Sequence, residues 1–154
     1  MYFAVVILLL LVFPVISIGA ETVLSPHASS IEFLTGKWFV FWGVGVRLFI
    51  AGARQVIQPR FTADEIFGIG DRAAFPIVRE LGFANLSMGL LGICSLVRVG
   101  WIVPAAMVGG FYYALAGIGH VFQKERNAKE NMAMVSDGFI ALVLLAFMVS
   151  SARV

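Results

Sequence analysis

The sequence predicts an all-α fold, a polytopic transmembrane helical bundle of five spans in which a first span precedes a four-helix core. Three observations lead there. Sixty per cent of the 154 residues are apolar and 13% are charged, against roughly 25% charged in an ordinary soluble domain. Mean hydropathy is +0.96. The apolar residues gather into five runs that approach ~20 residues, the length needed to cross a hydrocarbon core roughly 30 Å thick. A soluble chain of this size leaves a large share of its surface in water and could not hide so much apolar area. Residues 1–154 are therefore read as a single integral membrane domain.

The spans fall at about 2–20, 38–57, 76–97, 101–122 and 132–150. The first, Tyr2 to Ala20, has no charged side chain. Ser17 and Gly19 stand at a plausible cleavage spacing, so a cleaved signal is the alternative to a retained helix. Against cleavage, no Lys or Arg precedes the run, and the run is longer than a usual signal core. The second span carries Arg47 and Arg54, and the third opens with Arg79 and Glu80. The fourth ends at His120, and the fifth contains Asp137. Between spans three and four only Arg98 to Gly100 remain, which predicts an antiparallel hairpin. The connection between spans two and three is longer. Pro59 opens it, Thr62-Ala-Asp-Glu65 reads as a capping box, and a short interfacial helix over Ala63 to Phe67 ends at Gly68 and Gly70. Pro76 suits the first turn of the third span, where no amide hydrogen is needed. Trp38, Trp42 and Trp101 sit where an outer aromatic belt would lie.

Loop charges orient the bundle, because Lys and Arg concentrate on the cytoplasmic side of short loops. Arg54, Arg60 and Arg72 flank the loop between spans two and three, and Lys124, Arg126 and Lys129 lie between spans four and five. The opposite face has Lys37, Arg98 and Arg153. This predicts a multi-pass protein of the cytoplasmic (inner) membrane, N-terminus inside and C-terminus outside. A reporter fused to the C-terminus is expected to behave as extracytoplasmic; a cytoplasmic signal would mean a miscounted span.

Ionisable groups at the centre of a spanning helix cost at least about 2.5–3.5 kcal/mol on insertion scales, so their positions matter. Arg47 is expected near mid-depth. Arg54, Glu80 and His120 are expected near the cytoplasmic end, and Asp137 about 8 Å from that surface at 1.5 Å per residue. On span two, Gly43, Arg47, Ala51, Arg54 and Gln58 form one stripe. His120 shares a face with Gly117, Tyr113 and Gly109; Asn85 shares one with Gly89 and Gly92; Asp137 sits with Ala133 and Ala141. Such small residues let helices approach closely. Arg47, Arg54, Glu80, Asn85, His120 and Asp137 thus form a candidate ligand-binding cluster in the inner half. The plainer reading is structural. Groups near the surface can snorkel into headgroups, and Arg47 can be tied to Asp137 or Glu80 as an ion pair.

Other signals are weak. One cysteine, Cys94, excludes a disulfide framework, and two histidines, His27 and His120, give no basis for the usual His/Cys metal site. Gly68-Ile-Gly70 lacks the context of a dinucleotide site. Ser25-Pro-His27 has no acidic partner at triad spacing. Phe111-Tyr112-Tyr113 reads as packing rather than as a cofactor box. A net charge of +2 provides no basis for nucleic-acid binding. The partners left open are the lipid bilayer, another membrane protein, or further copies of the chain.

Gly36-Lys-Trp-Phe-Val-Phe-Trp-Gly-Val-Gly-Val-Arg47 and Arg54-Gln-Val-Ile-Gln-Pro-Arg60-Phe-Thr-Ala-Asp-Glu-Ile-Phe67 resemble a family of small prokaryotic membrane proteins with no assigned function. Ile77-Val-Arg-Glu-Leu-Gly-Phe-Ala-Asn85 and Gln123-Lys-Glu-Arg-Asn-Ala-Lys-Glu-Asn131 fit the same resemblance. More distantly, spans two to five are similar in layout to DoxX-like four-helix membrane proteins, in which an acidic residue often begins a Gly-rich helix, as Glu80 does here. Some of those relatives are linked to quinone-dependent thiosulfate oxidation. The likeness implies architecture and not chemistry, and with no redox motif matched, no cofactor is assigned.

The leading expectation is a non-enzymatic accessory subunit or small-ligand or lipid-binding bundle. The alternative is a small membrane enzyme or redox component acting on a quinone or lipid. There, His120 and Glu80 would exchange protons and Arg47 or Arg54 would hold an anionic or carbonyl group. A transporter or channel would need several copies to enclose a path.

Overall fold

A computed structural model describes residues 2–25, 29–123 and 125–152. His27, Lys124 and Arg153, which entered the sequence reading, lie outside the described residues. Among the described residues the fold is an all-α bundle of five long helices and one short one: α1 (Tyr2–Leu24), α2 (Ile31–Ile57), α3 (Phe61–Ile66), α4 (Arg72–Cys94), α5 (Val99–Val121) and α6 (Ala128–Ser151). The five long helices are each long and apolar enough to cross a membrane.

Local chemistry explains where helices start. Ser30 Oγ accepts from the Phe33 amide at 3.3 Å and begins α2. Asp71 Oδ1 accepts from the Ala73 amide at 2.9 Å ahead of α4. Asn127 Oδ1 accepts from the Glu130 amide at 2.9 Å and begins α6. Each side chain satisfies a first-turn donor that has no intrahelical partner. Helix α2 therefore begins seven residues before the predicted Trp38, and α6 begins four before Met132. In both cases hydropathy places the boundary after charged residues that the structure keeps helical. Lys37 is held there by Glu21 of α1, 2.7 Å away.

The capping box predicted at Thr62 is not made. The short helix runs from Phe61 to Ile66 in wide, π-type turns with no side-chain cap, and Glu65 pairs across to Lys129 of α6. Its end follows expectation, with Gly68 at φ +67°, a backbone conformation that glycine takes without steric cost.

Helix α1 joins the bundle through specific contacts. Val6 and Leu10 belong to its core. Trp38 Nε1 donates to Glu21 Oε2 at 2.7 Å, and Trp42 Nε1 donates to Ser17 Oγ at 3.0 Å. Two of the three predicted belt tryptophans thus also fasten α2 to α1.

Helices α2 and α4 meet at near-backbone distance. A methyl placed on Gly52 would stand 2.7 Å from the Gly82 carbonyl oxygen, and one on Gly82 would stand 2.9 Å from Gln55 Cβ. Gly45 and Gly92 face each other in the same way. In an apolar solvent, close packing of small residues is a principal source of helix association. Helix α5 packs mainly on α6. The predicted α4–α5 hairpin is present, but its two helices touch sparsely because each is committed elsewhere. Core residues Val40, Val44, Ile102, Ala105, Ile140 and Leu144 are essentially inaccessible and fill one half of the bundle. The half below them is hollow.

Candidate functional site

The hollow is a cavity of about 690 Å³ between the α2–α4 and α5–α6 pairs, with α1 on one side and α3 across its end. Its walls are mostly apolar. The polar and charged side chains on them include Arg47, Arg54, Gln55, Asn85, His120 and Asp137. Five of the six predicted candidates therefore line one space. Glu80 does not: it is exposed on the outer face of α4, as is its neighbour Arg79. On α4 the face containing Val78, Gly82, Asn85 and Gly89 is buried, and Glu80 lies off it at helical spacing.

Arg47 sits deepest. Its Nη2 donates to Asp137 Oδ1 at 2.8 Å and to Ser136 Oγ at 2.9 Å. Its guanidinium carbon is 4.9 Å from the centre of the Tyr113 ring, a cation–π contact. Tyr113 in turn donates its hydroxyl hydrogen to the Gly43 carbonyl at 2.6 Å. Gly43 lies in the wide-turn stretch Val40–Val46 of α2, a kind of helical irregularity frequent at functional sites. Of the two acidic partners proposed for Arg47, Asp137 is the one used. Arg47 Nη1 remains a buried donor with no partner among the described residues.

Two turns along α2, Arg54 stacks on Phe61, its guanidinium carbon 3.4 Å from the ring centre. Among the described residues no carboxylate lies within ion-pair distance of it. The stripe Arg47, Ala51 and Arg54 faces the cavity as expected, whereas Gln58, where the helix ends before Pro59, is exposed and is not part of the cavity wall.

Gln55 and Glu130 were missed by sequence reasoning. Asn85 Nδ2 donates to Gln55 Oε1 at 2.7 Å, both side chains buried. Gln55 follows Gly52 by three residues on the face toward α4, and an uncharged amide in a span was the available signal. Glu130, 2% exposed, lies 3.2 Å through Oε1 from His120 Nδ1. By charge, the stretch Gln123 to Asn131 is only the polar connection between the predicted fourth and fifth spans. Asn127 followed three residues later by Glu130 was a helix-start signature hidden in it. Tyr112 and Tyr113, assigned to packing, are also cavity wall.

Helix α3 and the α5–α6 turn close this end. Asn127 Nδ2 donates to the carbonyls of Glu65 and Ile66 at 3.2 and 3.3 Å. Phe67 stacks on His120 with ring centres 6.3 Å apart. Arg126 Nη1 donates to the carbonyls of His120, Val121 and Gln123, satisfying acceptors that the end of α5 leaves free.

The arrangement can hold a molecule with a polar end. Arg47 and Asp137 offset one another, so Arg54 leaves the cavity wall with a cationic bias. The volume lies within the roughly 300–1,000 Å³ of ordinary small-molecule sites, which are apolar with a few convergent polar groups.

A model of one protein family, described as a family of unknown function (DUF6790), matches residues 1–154. No curated protein and no solved structure matches the chain. The resemblance to a family without an assigned function is thus borne out, and no similarity to DoxX-like proteins is found.

Proposed function

The chain belongs to DUF6790, a family of unknown function, and we propose, from its site rather than from any relative, that it is a multi-pass membrane protein that binds a small amphipathic molecule. The observation that carries this reading is the cavity of about 690 Å³ into which α2, α4, α5 and α6 bring Arg47, Arg54, Asn85, His120 and Asp137. The role is that of a binding bundle or accessory subunit. The loop charges favour the α3 end as the cytoplasmic one.

Native mass spectrometry of protein released from a mild nonionic detergent tests it. The wild type is expected to retain one small amphiphile, and Ala116→Trp, which puts an indole into the cavity from α5, is expected to lose it. A wild type that is always bare, or an Ala116→Trp variant equally loaded, would sink the reading.

A catalytic reading draws on a separate observation, the His120–Glu130 pair. A carboxylate that orients an imidazole is a common feature of general acid–base sites, and here it is Glu130 rather than the exposed Glu80. A ligand recovered chemically altered from the wild type and unaltered from His120→Ala would favour that reading.

A further inference from the structure

The cavity's charge, shape and depth together describe its occupant, if the binding reading above holds. Besides tyrosines, four groups on its wall bear or can bear charge: Arg47, Arg54, His120 and Asp137. Asp137 is engaged by Arg47 at 2.8 Å. Arg54 lies on the Phe61 ring and has no carboxylate within ion-pair distance among the described residues. A cation bordering an apolar cavity is favoured when an anion joins it there, because a low-dielectric surrounding strengthens the attraction.

Depth adds direction. Arg54 lies three residues before the end of α2, about 5 Å at 1.5 Å per residue. Ile50 lies seven residues before that end, and Leu115 six before the end of α5, so both are about 10 Å inside. Ile50 and Leu115 line the cavity yet are 48% and 53% exposed, so the space is not sealed at that level. An opening flanked by apolar side chains at acyl-chain depth, with a cation nearer the helix ends, has the polarity of a lipid in the adjoining leaflet. A volume of about 690 Å³ accommodates one drug-sized ligand. A second acyl chain and a phosphodiester head would exceed it.

We propose that the cavity holds a single-chain amphiphile with an anionic head, the head at Arg54 and the chain lying within the cavity along Ile50 and Leu115. Arg54 is the ligand-charge determinant of the site. The head is a carboxylate or a phosphate monoester, as in a fatty acid or lysophosphatidate.

The test uses the purified full chain in nonionic detergent with three probes: oleate, lysophosphatidate and the uncharged oleyl alcohol. Saturable binding of oleate or lysophosphatidate, with oleyl alcohol about tenfold weaker or more, is expected; whichever anion binds more tightly identifies the head. Arg54→Gln should weaken the anionic probe about tenfold and leave oleyl alcohol unchanged, while Arg54→Lys should retain most of the affinity. Unfolding midpoints of both variants show whether the fold is intact. If Arg54→Gln fails to fold, the oleate-to-oleyl alcohol ratio in Arg54→Lys and the wild type still decides. Equal binding of oleate and oleyl alcohol, blocked by Ala116→Trp, would overturn the anionic head while leaving the binding function standing. No binding of any probe would overturn both.

Discussion

Asp137→Ala is expected to destabilise the protein by about 3–5 kcal/mol, the cost of leaving a buried charge without its partner. Arg47 has little to fall back on. Its Nη2 is shared between Asp137 and Ser136, and its Nη1 already lacks a partner among the described residues. Ser136 would keep one hydrogen bond but no countercharge. The double replacement Arg47→Met with Asp137→Leu should recover most of the loss, since apolar residues of similar volume often replace a buried ion pair at little cost. Equilibrium unfolding in micelles of the wild type, Asp137→Ala and the double variant measures this. A single Asp137→Ala within 1 kcal/mol of the wild type would mean that the pair does not hold α2 to α6. The double variant also separates stability from binding: if it folds and still retains the proposed amphiphile, the pair is a structural tie beneath the site.

The second large effect is expected at Glu130. Glu130→Ala leaves the buried His120 ring without its carboxylate, a loss of about 1–3 kcal/mol for an unsatisfied buried polar group. The consequence should reach α3, because Phe67 stacks on the same ring. Faster amide exchange across Phe61 to Phe67 is expected together with a lower thermal midpoint. Glu130→Gln keeps an acceptor for a hydrogen on His120 Nδ1 and should restore much of both. If exchange in that segment is unaffected by Glu130→Ala, His120 does not anchor the end of the cavity.

The all-helical bundle and its five long apolar segments were legible because composition and run length answer to the solvent rather than to long-range contacts. The face of α2 was legible for a related reason. Arg47, Ala51 and Arg54 recur at helical spacing, and the regular helix from Arg47 to Ile57 keeps them on the cavity wall. Helix starts were less so. Lys37 looked like a boundary residue, and only the carboxylate of Glu21, 16 residues earlier, explains why the helix passes through it.

Which charge met which lay beyond local pattern. Glu80 and Asp137 are both carboxylates near one end of a span, and spacing treats them alike. The rotation of α4, set by Gly82, Gly89 and Gly92 pressing on α2, turns Glu80 outward and Asn85 inward. Glu130 looked like one more charge of a polar turn until Asn127 started the helix that buries it against His120.

The solvent this chain folds in, its helices and the stripe that carries its arginines follow from periodicity and hydropathy, which each segment expresses alone. The partner of each charge, the separation of α4 from α5 and the cavity between the two helix pairs arise from how helices rotate and pair. Those outcomes depend on glycine contacts and ion pairs between residues as much as 90 positions apart, and no single segment contains them.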